Sequence, residues 1–275
     1  MSKDISGGLH KLRAELVDPV NYFLPVGEQE IALNALLGQP LQIEYSGKIF
    51  CANCGRKTNN SFNQGFCYPC FKKLARCDSC IVSPEKCHYH LDTCREPQWG
   101  EEHCMIPHVV YLANSSGSKV GITRGTQIPT RWIDQGAVQA VPIIGVQTRY
   151  QSGLVEVALK QHIADKTNWR AMLKGPPEPI DLITKKHELL TASQAELGAL
   201  QDQFGLQAVQ LLEDQDPQDI AYPVITYPEK ITALNLDKTP LVSGTLLGIK
   251  GQYLLLDSGV LNIRKFTAYD VVVST

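Results

Sequence analysis

All nine cysteines of the 275-residue chain lie between Cys51 and Cys104. Two of the groups they form, Cys51-Ala52-Asn53-Cys54-Gly55 and Cys67-Tyr68-Pro69-Cys70, are Cys-x-x-Cys knuckles separated by twelve residues. That spacing lets four thiolates converge on one tetrahedral Zn²⁺. Two residues between paired cysteines allow a tight turn that aims both sulfurs at one point, and Gly55 relieves the backbone beneath the metal. A third knuckle, Cys77-Asp78-Ser79-Cys80, implies a second zinc, with Cys87 and Cys94 as its remaining ligands and His90 or Cys104 as substitutes. Three sites would need every cysteine together with His88, His90 and His103. These sites read as closed and structural. A redox-active Cys-x-x-Cys would stand singly in a βαβ context, whereas here the pair recurs.

An odd number of cysteines without an export signal speaks against a disulfide framework. The opening Met1-Ser2-Lys3-Asp4-Ile5-Ser6-Gly7-Gly8 has no basic region leading into an apolar stretch, and no apolar run is long enough to span a bilayer. The expectation is a soluble cytoplasmic protein. The net charge of −2 conceals an asymmetry. Seven Lys/Arg between Lys48 and Lys86 face only Asp78 and Glu85, and eight between His108 and Lys174 face only Asp134, Glu156 and Asp165. From Glu178 to Asp219 there are nine acids against Lys185 and Lys186. The basic regions would attract a polyanion, and nucleic acid is the expected partner; the acidic one could serve a protein partner.

The elements that must position these residues read as an α+β chain in five parts. Residues 1–50 form a small β module containing Val20–Leu24 and Leu41–Tyr45. Residues 51–107 are the Cys-rich segment, where apolar periodicity fades as expected if metal holds the fold. Residues 108–175 begin with a hairpin, Val109–Ala113 and Ser118–Thr123. A helix near Pro129 carrying Arg131 and Trp132 follows, then a strand Val141–Val146 and a helix over about Gly153 to Ala164. Residues 176–219 are acidic and helical, and residues 220–275 form a β meander or small barrel with glycine at its turns. In that last part Lys250, Tyr253, Arg264, Lys265 and Tyr269 mix aromatics with cations on strands, a pattern that can contact single-stranded nucleic acid.

Val109-Val110-Tyr111, Lys119-Val120-Gly121-Ile122-Thr123, Arg131-Trp132 and Glu156 together resemble the GIY-YIG nuclease superfamily, in which a hairpin carries two tripeptides and helices carry an arginine and a glutamate. With the Cys-rich segment and the ending Gly248-Ile249-Lys250-Gly251-Gln252-Tyr253 and Asn262-Ile263-Arg264-Lys265-Phe266, nearly the whole chain is also similar to a bacterial domain-of-unknown-function family. The resemblance implies a GIY-YIG-like core flanked by the zinc segment and small β modules, and metal-dependent hydrolysis of phosphodiester bonds. Such chemistry needs a group that positions or deprotonates water, a cation on the non-bridging oxygens and a carboxylate-held metal. Tyr111, Arg131 with its planar fork and Glu156, as ligand to Mg²⁺ or Mn²⁺, match these needs. Lys119 stands where nucleases of the superfamily often have tyrosine, and could contact phosphate. The alternatives are a non-catalytic zinc-dependent nucleic-acid-binding module and a protein-interaction module.

Overall fold

The computed structural model describes residues 4–164 and 166–275. The first three residues of the expected N-terminal module, and Asp165 of the second basic region, lie outside them. The mixed helix-and-sheet class is as expected, but its partition differs. Across the largest sheet the order is Asp4–Gly8, Tyr269–Ser274, Pro40–Phe50, Leu241–Lys250, Tyr253–Leu256 and Gly259–Asn262, with Lys57–Thr58 also paired to Pro40–Phe50. Registers such as Ile5↔Val273↔Ile43 and Ile43↔Val242 set buried β-branched residues side by side on one face. The two β modules expected at opposite ends of the chain therefore share one sheet through Asp4–Gly8 and Pro40–Phe50, while Asn21–Val26 pairs with Arg13–Glu15 and Gln29–Ala32 in a separate three-stranded sheet. Alternating apolar residues reveal each strand, but pairing between residues more than two hundred positions apart leaves no local signal.

The hairpin and the strand after it form a second sheet in the order Val209–Leu211, Gln139–Val146, His108–Asn114 and Ser118–Arg124, with Gln218–Asp219 also on Gln139–Val146. The acidic segment thus supplies edge strands as well as the helices Leu182–Ala192 and Gln194–Phe204. Val110, Leu112, Val120 and Ile122 pack against Val155, Leu159 and Leu189 from the helices. Tyr111 and Ala113 point the other way, into the core of the large sheet beside Trp132, Ile133 and Ile249. Covering both faces explains why His108–Asn114 is a nearly continuous apolar run rather than an alternating one.

Thr148 starts the Arg149–Leu159 helix by accepting from the Gln151 backbone, while the Gln151 side chain returns to the Thr148 N–H. This capping box places the helix start ahead of the expected Gly153. The Cys-rich segment is a series of short turns with two small helices, Tyr68–Lys73 and Pro97–His103. It packs directly on the Arg149–Leu159 helix at Gly153, where a Cβ would lie 2.5 Å from the Glu85 nitrogen and 2.7 Å from the Pro84 carbonyl carbon. Both are backbone atoms and cannot swing aside. In an open helix, Gly→Ala stabilises by about 1 kcal/mol. Gly153→Ala is expected instead to destabilise by about 1–3 kcal/mol, the usual cost of overpacking. Denaturant unfolding checks the sign, and a stabilised variant would contradict this contact.

Candidate functional site

The Cys-rich segment, the hairpin, the Arg149–Leu159 helix and the terminal sheet enclose an open cleft of about 450 Å³. Gly121 and Arg124 come from the second hairpin strand, Arg131, Asp134 and Gln135 from the turn of helix at Thr130–Asp134 and just beyond it, and Arg149 and Glu156 from the next helix. Asn63, Gln64, Ile81 and Pro84 form the wall contributed by the Cys-rich segment. Lys11 and Arg264, from opposite ends of the chain, complete the rim. Arg131 and Glu156, which are twenty-five residues apart in sequence, thus face one space beside Gly121.

Tyr111 lies beneath this cleft, fully buried. It pairs directly across the hairpin with Gly121, and a Cβ at position 121 would sit 2.6 Å from the Tyr111 hydroxyl. Glycine is therefore required there by the tyrosine ring. The hydroxyl donates to Gln135 Oε1 at 2.8 Å, and Lys119 Nζ donates to the same oxygen at 2.6 Å. Burial pushes the Tyr111 phenol up to about 12, against the opposing pull of Arg131, so it carries its proton at neutral pH. Lys119 is buried too, so of the four residues expected to do chemistry, Arg131 and Glu156 line the cleft while Tyr111 and Lys119 support it from below.

The charges are unbalanced. Lys11, Arg124, Arg131, Arg149 and Arg264 face two carboxylates, and one of these, Asp134, is engaged by Lys11 at 3.1 Å and by the Gln252 amide at 2.8 Å. Burial, helped by the Arg131 charge, lowers both Arg149 and Arg264 from their ordinary values. Arg149 donates from Nη2 to the Ile81 carbonyl at 2.5 Å, while its buried Nε has no hydrogen-bond partner among the described residues. Arg264 donates to Gln64 Oε1 at 2.7 Å. These two arginines hold the cleft wall on both sides, and a multivalent anion would relieve the repulsion among the cations. The sequence marks Arg149 by its place in a capping box, but nothing local marks Lys11, Arg124 or Gln135. Of the cations and aromatics singled out near the C-terminus, only Arg264 reaches the cleft. Lys250 is buried beside Tyr222 and Tyr227, Tyr253 stacks on Trp169, and Tyr269 is buried against Tyr45.

Cys51, Cys54, Cys67 and Cys70 place their sulfurs within 4.8 Å of one another, and Cys54 Sγ lies 3.7 Å from Cys67 Sγ, near the edge of about 3.8 Å that Zn–S bonds of about 2.3 Å give a tetrahedral centre. The turn beneath them is closed by Gly55 N–H to Cys51 O, with Gly55 at φ +69°. Although burial opposes ionisation of Cys51, backbone N–H groups of Cys67, Cys54 and Asn53 outweigh it and bring the thiol down to about 6. The set can hold a zinc ion. Cys77 was expected in a second set but belongs elsewhere: it packs with Cys51, Phe66, Cys67 and Leu74 in a small buried cluster. Knuckle spacing fixes a turn, not the direction its sulfurs take. Cys80, Cys87, Cys94 and Cys104 line a separate small cavity. Asp78 and His88 also bring donor atoms within 4.8 Å of Cys80, a grouping the sequence does not reveal.

The chain belongs to the family described as Protein of unknown function (DUF2797), whose model matches residues 38–271. That span takes in the Cys-rich segment and every cleft residue except Lys11. No curated protein and no solved structure matches the chain. No helix among the described residues is long and apolar enough to cross a membrane.

His108 tests the local electrostatics. It is buried at the start of the first hairpin strand, its Nδ1 donates to Ile106 O, and burial with the Arg149 and Arg124 charges pushes it down to about 4. Unfolding releases it to an ordinary value near 6.5, so the unfolded state binds more protons in between. Its stabilising contribution is then present above pH about 6.5 and lost as pH falls towards about 4, roughly 2–4 kcal/mol in all. Denaturant unfolding of wild type and His108→Gln across that window is expected to show a shallower pH dependence in the variant. Parallel curves would contradict the assignment.

Proposed function

We propose that the protein binds nucleic acid in this cleft and hydrolyses its phosphodiester bonds as a metal-dependent GIY-YIG-like endonuclease. The observation that carries the reading is the convergence of Arg131, Glu156 and Gly121 in one open cleft rimmed by cations, with the Tyr111 hydroxyl directly below. The guanidinium of Arg131 offers paired donors to the non-bridging oxygens, where charge accumulates in the transition state. Glu156 supplies oxygen for a Mg²⁺ or Mn²⁺ ion, which when bound polarises phosphate and lowers the pKa of water. Lys11, Arg124, Arg149 and Arg264 hold the flanking phosphates. Tyr111 keeps its proton and orients Gln135 at the cleft floor, so its part is positioning rather than deprotonation. The Cys51–Cys70 zinc is structural, since four thiolates leave no open position.

A second reading is a non-catalytic nucleic-acid-binding module. Lys119 in place of the second tripeptide's tyrosine and the enclosure of Tyr111 both favour it. Cleavage of branched, single-stranded and duplex DNA and RNA with Mg²⁺ or Mn²⁺ separates the two. Glu156→Gln is expected to reduce cleavage on the order of 100-fold or more while leaving affinity within about twofold. Arg131→Ala is expected to weaken binding and reduce the slope of log affinity against log salt by about one. Binding without cleavage by wild type would promote the second reading. Binding that ignores salt, or none at low salt, would sink both and favour a protein-interaction module, with the acidic 176–219 segment as its contact.

A further inference from the structure

We infer that Cys80, Cys87, Cys94 and Cys104 form a second, separate four-thiolate zinc site, and that this ion holds the wall of the cleft in place. The four residues come from four different turns. Cys80 lies in the Ser79–Ile81 turn, Cys87 follows Pro84–Lys86, Cys94 precedes the Pro97–His103 helix, and Cys104 caps that helix. All four line one small cavity of about 20 Å³, with Asp78 also at its edge and the rest of its wall apolar, chiefly Ala75, Ile81, Tyr89, Trp99 and Met105. A space of that size takes one small occupant. Water would need two to four polar partners, and sulfur is a poor one, whereas a soft cation is suited to it. Gly100 keeps the space open: a Cβ there would meet the Tyr89 ring at 3.3 Å and Cys94 Sγ at 3.4 Å, which explains a buried glycine inside a helix.

The rest of the segment requires such a link. Residues 77–104 consist of single turns and one seven-residue helix, with no strand, so no ladder of backbone hydrogen bonds holds them together. The Cys51–Cys70 set meets them at Cys77, at the start of the segment, and none of the four cysteines of that set lines the cavity. The rival grouping of Asp78, Cys80 and His88 is already accounted for. Asp78 accepts from Arg95 Nε at 2.7 Å on one oxygen and from the Ser79 backbone at 2.6 Å on the other. His88 Nδ1 pairs with Thr93 Oγ1 at 2.7 Å and its Nε2 lies 3.4 Å from Asp78. A cation among them would face the Arg95 guanidinium. The four-cysteine cavity sits directly behind the cleft: Ile81 lines both, its carbonyl receives Arg149, the Arg149 N–H bonds Cys104 O at 2.8 Å, and Pro84–Glu85 abuts Gly153.

Native mass spectrometry of the full chain, purified without added metal or reductant, reads zinc and disulfides together. Two zinc ions and no disulfide are expected for wild type, Cys77→Ser, Asp78→Asn and His88→Gln, and one zinc for Cys87→Ser and Cys104→Ser. A single zinc in wild type, a disulfide among these four cysteines, or loss of zinc in the Cys77, Asp78 or His88 variants would overturn the assignment. Should the Cys87 and Cys104 variants not fold, zinc-edge X-ray absorption of wild type decides: four sulfurs per zinc at about 2.3 Å support it, and a nitrogen or oxygen shell at about 2.0–2.2 Å refutes it. Neither readout depends on whether the cleft cuts nucleic acid.

Discussion

The contact between the Gly153 face of one helix and the Pro84–Glu85 backbone is the constraint on which the rest of the arrangement depends. It brings a segment with almost no regular structure against the helix that carries Glu156, at a distance no side chain would permit. A glycine in mid-helix costs about 1 kcal/mol of helix propensity, and the close approach is what that cost allows. Arg149, one turn earlier, fastens the same junction by bonding Ile81 O through its side chain and Cys104 O through its backbone. One wall of the cleft is thus made of cysteine-rich turns and the other of a two-sided sheet.

Electrostatics then follow from where the walls meet. Cations from the two ends of the chain, the hairpin, the short Thr130–Asp134 helix and the capped helix are drawn into one space by strand pairing and core packing rather than by attraction to one another. Their cost is lowered by Asp134, by the Gln64 bond to Arg264 and by partial exposure. Beneath them, Tyr111 and Lys119 both donate to Gln135 Oε1, a polar knot beside two apolar cores. These bonds tie the second hairpin strand and the tyrosine ring to the cleft floor, where hydrogen bonds of buried polar groups are costly to lose.

Much of this was legible in the sequence where the signal is local. The two knuckles Cys51–Cys54 and Cys67–Cys70 announced their convergence, and the hairpin, the short helix after Pro129 and the following strand appear close to where they were read, whereas the helix expected over about Gly153 to Ala164 runs from Arg149 to Leu159. The apolar strand was legible, but Tyr111 was read as a group that acts on water, and its full burial follows from the covering of both faces of the sheet. What depends on pairing distant residues was not legible. The union of the terminal strands in one sheet brought Lys11 and Arg264 to the same cleft, and no pattern within either neighbourhood encodes that. Cys77 and Cys104 teach the same lesson at smaller scale, since spacing defines a turn while packing decides which turns face one another.

Crystals of the zinc-loaded protein grown with Mn²⁺ and a short hydrolysis-resistant oligonucleotide test the proposed phosphate-and-metal cleft most directly. The account predicts an anomalous peak at the Glu156 carboxylate and a backbone phosphate on Arg131, in the space above Gly121. Manganese bound elsewhere, or an oligonucleotide lying outside the cleft, would contradict it.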